Sequence, residues 1–293
     1  MRLHTVLLPT ERWRGDDRWR RAEALGFETA FLYDHLTWRE LRDGPWHATV
    51  PVLAAAAVTT STIRLGTLVA SPNYRHPVTF AKEVMTLDDL SDGRLTLGLG
   101  AGGTGHDALT LGGEPWSPRE RTDRFVEFVE LTDRLLREPA TNAAGPHYRA
   151  VEARSMPGCV QRPRVPFAIA AGGPRALALA ARHGETWVTN GRAWQDADGD
   201  VDACVALVGR QSAALTAACR AVGRDSASIR RMLLVGGTQE PWFASPAAAA
   251  ELAARYAAEA GITDLTLHWP LAGYEPYDVP EARFEAVTAA LRV

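Results

Sequence analysis

Short apolar runs rich in leucine and β-branched residues alternate with longer stretches whose apolar positions recur every three to four residues. An unbroken apolar run of four to eight residues suits a buried strand, and a period near 3.6 suits a helix with one buried face. The strand candidates are residues 3–8, 29–33, 64–69, 95–99, 167–170, 185–189, 232–235 and 264–268. Helical patterns follow at 16–25, 50–59, 77–90, 119–137, 174–183, 201–222, 245–259 and 280–291. Pro77, Pro174, Pro246 and Pro280 stand at helix starts, where a missing N–H costs nothing. Gly26 and Gly184 stand where a helix end wants a left-handed residue. Eight strand–helix units fit a single α/β domain over 1–293, a (β/α)8 TIM barrel with loop insertions at the C-terminal face of the strands. Two doubly wound domains fit the same alternation, so the pattern by itself leaves both open.

Residues 138–166 break the rhythm with Pro139, Gly145, Pro146, Pro157, Gly158, Pro163 and Pro166. They read as an insertion that crosses the top of the barrel. The longest apolar run, 50–58, is too short for a bilayer, which needs about twenty residues. No signal-peptide pattern opens the chain, and the reading is a soluble cytoplasmic protein. A net charge of −3 with no basic stripe argues against nucleic-acid binding. Cys159, Cys204 and Cys219 have neither knuckle nor redox spacing, so they read as reduced thiols, and no metal site is expected.

Four stretches at predicted strand ends carry candidate chemistry. Asp34-His35, followed by Trp38, ends the second strand; a histidine there can exchange a proton near neutral pH, or the pair can be a cap and a structural ring. Residues 66–72 end the third strand and bring backbone near a flat ligand, or simply run into a proline turn. Residues 98–105 match G-x-G-x-x-G, but the acidic partners at dinucleotide spacing, Glu120 and Asp123, fall inside a helical pattern. Ala171-Gly172-Gly173-Pro174 joins a strand to a helix start, either a tight turn or an anion site of free N–H groups.

Together these stretches resemble the luciferase-like family of flavin- and deazaflavin-dependent oxidoreductases. The resemblance rests on residues 22–31 leading to Asp34-His35, on 63–67, on Arg75-His76-Pro77 with Glu83 and Asp88, on 91–94 leading into 97–102, and on 171–174. It is dense from about residue 15 to 190. It implies one barrel with an isoalloxazine-type ring across the strand ends. It implies a bulged, often cis, bond between Leu68 and Val69 behind that ring, with Gly100 and Ala101 beside it. Ala171, Gly172, Gly173 and Pro174 would take the phosphate, and Asp34 and His35 would face the reactive side, with His35 exchanging the proton. Trp38, Trp116, Trp187, Trp194 and Trp269 are either packing residues or the walls of an apolar substrate cleft.

The sugar-phosphate dehydrogenase branch carries a glutamate acid after the fourth-strand glycines, where this chain has Gly103, so sugar-phosphate oxidation is not expected. Arg121 and Arg124 read as helix-surface salt-bridge formers, not as anion ligands. The resemblance favours coenzyme F420 and hydride transfer to an activated C=C, C=N or C=O of a small molecule or peptide-like substrate. FMN, in a monooxygenase or reductase, is the alternative cofactor, and a cofactor-free barrel acting as a binding or assembly protein is the alternative class. Family members pair through helices near the second and third units, where residues 54–57 form an alanine patch.

Overall fold

The computed structural model describes residues 1–14, 16–38, 41–103, 105–191, 200–236, 241–275 and 277–292. Its elements run β1 (Arg2–Leu7), α1 (Arg18–Ala24), β2 (Thr29–Leu32), α2 (Thr49–Thr59), β3 (Arg64–Ala70), α3 (Pro77–Leu90), β4 (Leu95–Leu99), α4 (His106–Thr110) and α5 (Pro118–Arg137). There follow β5 (Ala140–Ala144), β6 (Arg149–Arg154), β7 (Phe167–Ala170), α6 (Pro174–His183), β8 (Thr186–Thr189), α7 (Val201–Ala221), β9 (Arg230–Leu234), α8 (Pro246–Ala260), β10 (Asp264–His268) and α9 (Glu281–Ala290). Eight strands close a parallel barrel in the order β1-β10-β9-β8-β7-β4-β3-β2. The single-barrel reading is correct, and the two-domain alternative falls away.

Two apolar layers follow from the strand period of two. Inward residues Val6, Leu8, Phe31, Tyr33, Leu68, Ala168, Val188 and Met232 form one buried cluster. Outward residues pack on the helices in a larger core that includes Trp19, Phe80, Phe128, Trp187 and Phe284. The N-terminal end of the barrel is closed by polar pairs: His4 to Asp264 at 2.9 Å and Arg230 to Glu28 at 2.6 Å. No described helix is long and apolar enough to cross a membrane.

Strands β3 and β4 lie unusually close. A Cβ on Gly98 would stand 1.9 Å from the Thr67 carbonyl oxygen, and one on Gly66 would stand 2.3 Å from the Thr96 oxygen. The G-x-G of β4 therefore serves strand packing. The Thr67 hydroxyl donates to the Gly98 carbonyl at 2.8 Å, and the ladder slips between Thr67 and Ala70.

Two expectations need correction. Residues 138–166 do not cross the barrel top. They form the hairpin β5–β6 on the outside, where Glu127 of α5 accepts from the backbone of His147 and Tyr148, and Lys82 of α3 donates to the Arg154 and Met156 carbonyls. The return reaches the opposite end of the barrel, where Gln161 donates to the Leu95 carbonyl. The reason is topological: this segment connects a helix to the next strand, and such connections lie at the strands' N-terminal ends. Gly184 is extended at φ −86°, unlike Gly26 at φ +69°; it is needed because a Cβ there would press on the Ala180 oxygen at 2.9 Å.

Gly98→Ala should destabilise the barrel by about 2–3 kcal/mol in denaturant unfolding, since the clash is with backbone that cannot rotate away. Gly173→Ala, with nothing within 4 Å of the added carbon, should cost well under about 1 kcal/mol in the same assay.

Candidate functional site

The strands' C-terminal ends gather the candidate residues. His35 follows β2 and is partly exposed. Its Nδ1 lies 2.7 Å from Oδ2 of Asp107, which is buried at the start of α4. The other oxygen of Asp107 accepts the Leu36 N–H at 2.8 Å. An acceptor on Nδ1 fixes the ring's tautomer, with the proton on Nδ1 and the lone pair on Nε2. Trp38 packs on the imidazole at 4.9 Å between centroids and stacks on Trp46 at 6.1 Å, while the Trp46 indole donates to the His35 carbonyl. The sequence reading missed Asp107 and Trp46. The acid came seventy-two residues after the histidine, and only the glycine loop with Gly105 at φ +82° turns α4 back over β2.

Asp34 does something else. Its side chain is fully buried; Arg75 donates to one oxygen at 2.9 Å and to the other at 2.7 Å, and the Tyr74 hydroxyl also donates. Burial, with the Asp34 charge beside it, pushes the Tyr74 hydroxyl well above its usual range. Arg75 also meets Glu83 at 3.1 Å, so the Arg-His-Pro stretch and Asp34 form one clamp that holds the loop after β3 against the end of β2. Asp34 does not face the cleft.

A cleft of about 500 Å³ opens beside this clamp. Leu68 and Val69 form one wall, residues 170–172 and 188–190 the other, with Gln211 and Leu234. The Leu68–Val69 peptide is cis, at the position where the resemblance places it. Gly100 stands behind Val69, whose Cγ2 would lie 2.4 Å from an added Cβ; neither Gly100 nor Ala101 is among the cleft's lining residues. Gly172 and Gly173 face open space. Gly173 caps α6 without any side-chain hydrogen bond, and Pro174 begins the helix, so the first-turn N–H groups are left for a ligand. This open cradle at a helix start fits a phosphate.

The tryptophans divide. Trp38 packs, partly buried, against the inner cluster and, like His35, is not among the cleft's lining residues. Trp187 is fully buried in the outer core, where its indole donates to the Ala171 carbonyl at 2.8 Å and steadies the glycine turn from behind. Trp269 is buried against Phe284 under Arg21, also outside the cleft. Trp187 on β8 and Trp269 just past the end of β10 both point outward, which sequence alone could not separate from pointing inward. Trp116 lies beneath Arg124 at 4.1 Å and is not among the cleft's lining residues, and Trp194 is outside the described residues. Arg124 pairs with Glu120, whereas Arg121 donates to the carbonyls of Gly102 and Gly103 and secures the glycine loop. A second histidine unnoticed in the sequence, His268, ends β10. Its Nδ1 lies 2.7 Å from the Val235 carbonyl, its Nε2 meets the Tyr33 hydroxyl, and Tyr277 stacks on it at 3.9 Å. Among the described residues no group of acids, histidines and cysteines could hold a metal.

The family described as luciferase-like monooxygenase matches residues 14–276, and the chain belongs to it. It is 38% identical over 177 residues, 58% of this chain and 51% of the other, to an F420-dependent glucose-6-phosphate dehydrogenase of Beutenbergia cavernae. It is 32% identical over 233 residues, 76% of this chain and 59% of the other, to an F420-dependent hydroxymycolic acid dehydrogenase of Mycobacterium tuberculosis. The chain spans about half the length of the curated relatives it matches. An F420-dependent secondary alcohol dehydrogenase in complex with an F420–acetone adduct superposes with a TM-score of 0.80 at 17% identity, covering 100% of this chain and 99% of that one. That likeness concerns the fold.

Burial pushes the His268 imidazole down to about 4, against 6.5 when free. The unfolded chain therefore takes up a proton between pH 6.5 and 4 that the folded chain refuses, so stability is intact above pH 6.5 and falls as pH drops toward 4. The loss from this residue should be about 2 kcal/mol between pH 7 and pH 5. Comparing urea unfolding of the wild type and His268→Asn at both pH values isolates it.

Proposed function

We propose that the protein is an F420-dependent oxidoreductase that moves a hydride between the deazaflavin and an activated C=C, C=N or C=O of an apolar small molecule. The observation that carries this reading is the pairing, within one cleft, of the slipped Leu68–Val69 edge with the open Gly172–Gly173 cradle at the start of α6. When bound, coenzyme F420 supplies a two-electron hydride carrier without oxygen chemistry.

The residues divide the work. Gly172, Gly173 and the first turn of α6 hold the phosphate through backbone N–H groups and the positive end of the helix. Leu68 and Val69 back the ring. His35 gives or takes the proton at Nε2, and Asp107 keeps its ring oriented. Asp34 positions the wall through Arg75 and touches no reactant. Trp38 and Trp46, with Leu41, Leu271 and Tyr277 in the same apolar cluster, favour an aromatic or aliphatic acceptor and exclude water from it. Several relatives are glucose-6-phosphate dehydrogenases by name. Gly103 in place of the branch's glutamate, and this aromatic wall, point this chain to another substrate. Three buried free cysteines and an overall charge of −3 suit a cytoplasmic enzyme that does not bind nucleic acid, and the apolar α2, with Val58 exposed, suits a homodimer.

Anaerobic titration of the purified protein with F420 and with FMN tests the reading. F420 should bind, and Gly172→Asp should weaken it more than about 100-fold at an unchanged melting temperature, because a carboxylate then occupies the phosphate's place. Preference for FMN makes the monooxygenase reading the correct one; binding of neither leaves a cofactor-free barrel.

With reduced F420 and a panel of apolar enones, imines and ketones, His35→Ala should slow turnover about 10²–10⁴-fold with cofactor affinity kept. Asp107→Asn should lower kcat while leaving KM nearly unchanged, as expected of a group that acts through the ring.

A further inference from the structure

Gln211 projects from α7 into the cleft beside Thr189. Thr189 Oγ1 accepts the Gly191 N–H at 3.0 Å and gives its own proton to Gln211 Oε1 at 2.6 Å. Those two bonds orient the amide: its oxygen is turned back to β8, and its NH2 has no partner among the described residues. Held this way, Gln211 presents its NH2 donors to a ligand. The same cleft carries the Gly172–Gly173 cradle, which also offers only N–H donors.

Every described donor on this wall is neutral. No lysine, arginine or histidine is among the described lining residues, and Arg175, in the first turn of α6, is engaged by Asp123 at 2.5 Å. A terminal phosphate ester approaches a double negative charge above its second pKa of about 6, whereas a phosphodiester carries one charge throughout the neutral range. Neutral dipoles satisfy a single charge; desolvating a second one without a cation is unfavourable.

We propose that Gln211, fixed by Thr189, is a specificity-determining donor that makes this cleft select a singly charged phosphodiester over a doubly charged terminal phosphate. The inference rests on the F420 reading above and deepens it, because the phosphate of F420 is a diester and that of FMN is a terminal ester.

Ring-matched pairs separate the phosphate end from the ring: F420 against its phosphate-free deazaflavin nucleoside, and FMN against riboflavin. Affinities are read by fluorescence titration of the full chain between pH 5.5 and 7.5, and the ratio within a pair cancels any titration near the ring. In the wild type, the FMN-to-riboflavin ratio should fall as pH rises through about 6, while the F420-to-nucleoside ratio stays level. Gln211→Glu should weaken F420 at least about tenfold and leave the nucleoside unchanged, which also reports that the variant is folded. Gln211→Lys should raise the FMN-to-riboflavin ratio and make it climb with pH. Thr189→Val should lower the F420-to-nucleoside ratio and Thr189→Ser should restore it, a rescue that mere packing would not give. A wild-type FMN-to-riboflavin ratio that climbs with pH, or an F420-to-nucleoside ratio indifferent to both Gln211 variants, overturns the proposal. Tighter binding of both flavins than of both deazaflavins overturns the functional reading alone, since each ratio still reads the phosphate end.

Discussion

Strands β3 and β4 approach so closely that the carbonyl of Thr67 occupies the space where a Cβ of residue 98 would be. Most of the site depends on that contact. Glycine at 66 and 98 lets the two backbones meet inside the barrel, and the ladder then slips before Ala70. The slip carries Leu68 and Val69 forward as a wall. Gly100 completes the arrangement by leaving room for the Val69 side chain. A glycine-rich run that reads as a ligand loop is thus first a packing device, and the ligand space is its consequence.

Two polar pairs work separately at the strands' C-terminal ends. Asp34 with Arg75 is buried and bidentate, a geometry that fixes direction as well as distance. It joins the end of β2 to the loop after β3 and so holds the slipped edge in place. Asp107 with His35 is the second pair, with one buried partner and one partly exposed. Adjacent residues in sequence thereby take different tasks: at the end of a strand, successive side chains point in different directions, and the elements folded over each direction differ. At the far end of the cleft, Trp187 supports the glycine turn from outside through the Ala171 carbonyl, and Thr189 and Gln211 complete the wall from inside. The outward and inward faces of β8 therefore both serve the same turn.

Apolar periodicity and helix-start prolines placed all eight barrel strands and the helices that follow them to within about two residues, because burial of one face is a local demand that the local sequence must meet. Pro77, Pro174 and Pro246 do stand at first helical positions. The sequence also marked the glycine turn before α6, since a strand, two glycines and a proline can make little else. His35 and Trp38 were legible as candidates for the same reason, a histidine and a tryptophan at a strand end. What tertiary structure decided was partnership. Asp107 reaches His35 across seventy-two residues, Arg75 claims Asp34, and Gln211 comes to Thr189 from a different helix. Residues 138–166 turned outward because their place between a helix and a strand put them at the closed end of the barrel. Hydrophobic pattern is written into neighbouring residues, but the pairing of a charge or an amide is settled only when closure of the barrel brings distant strand ends together.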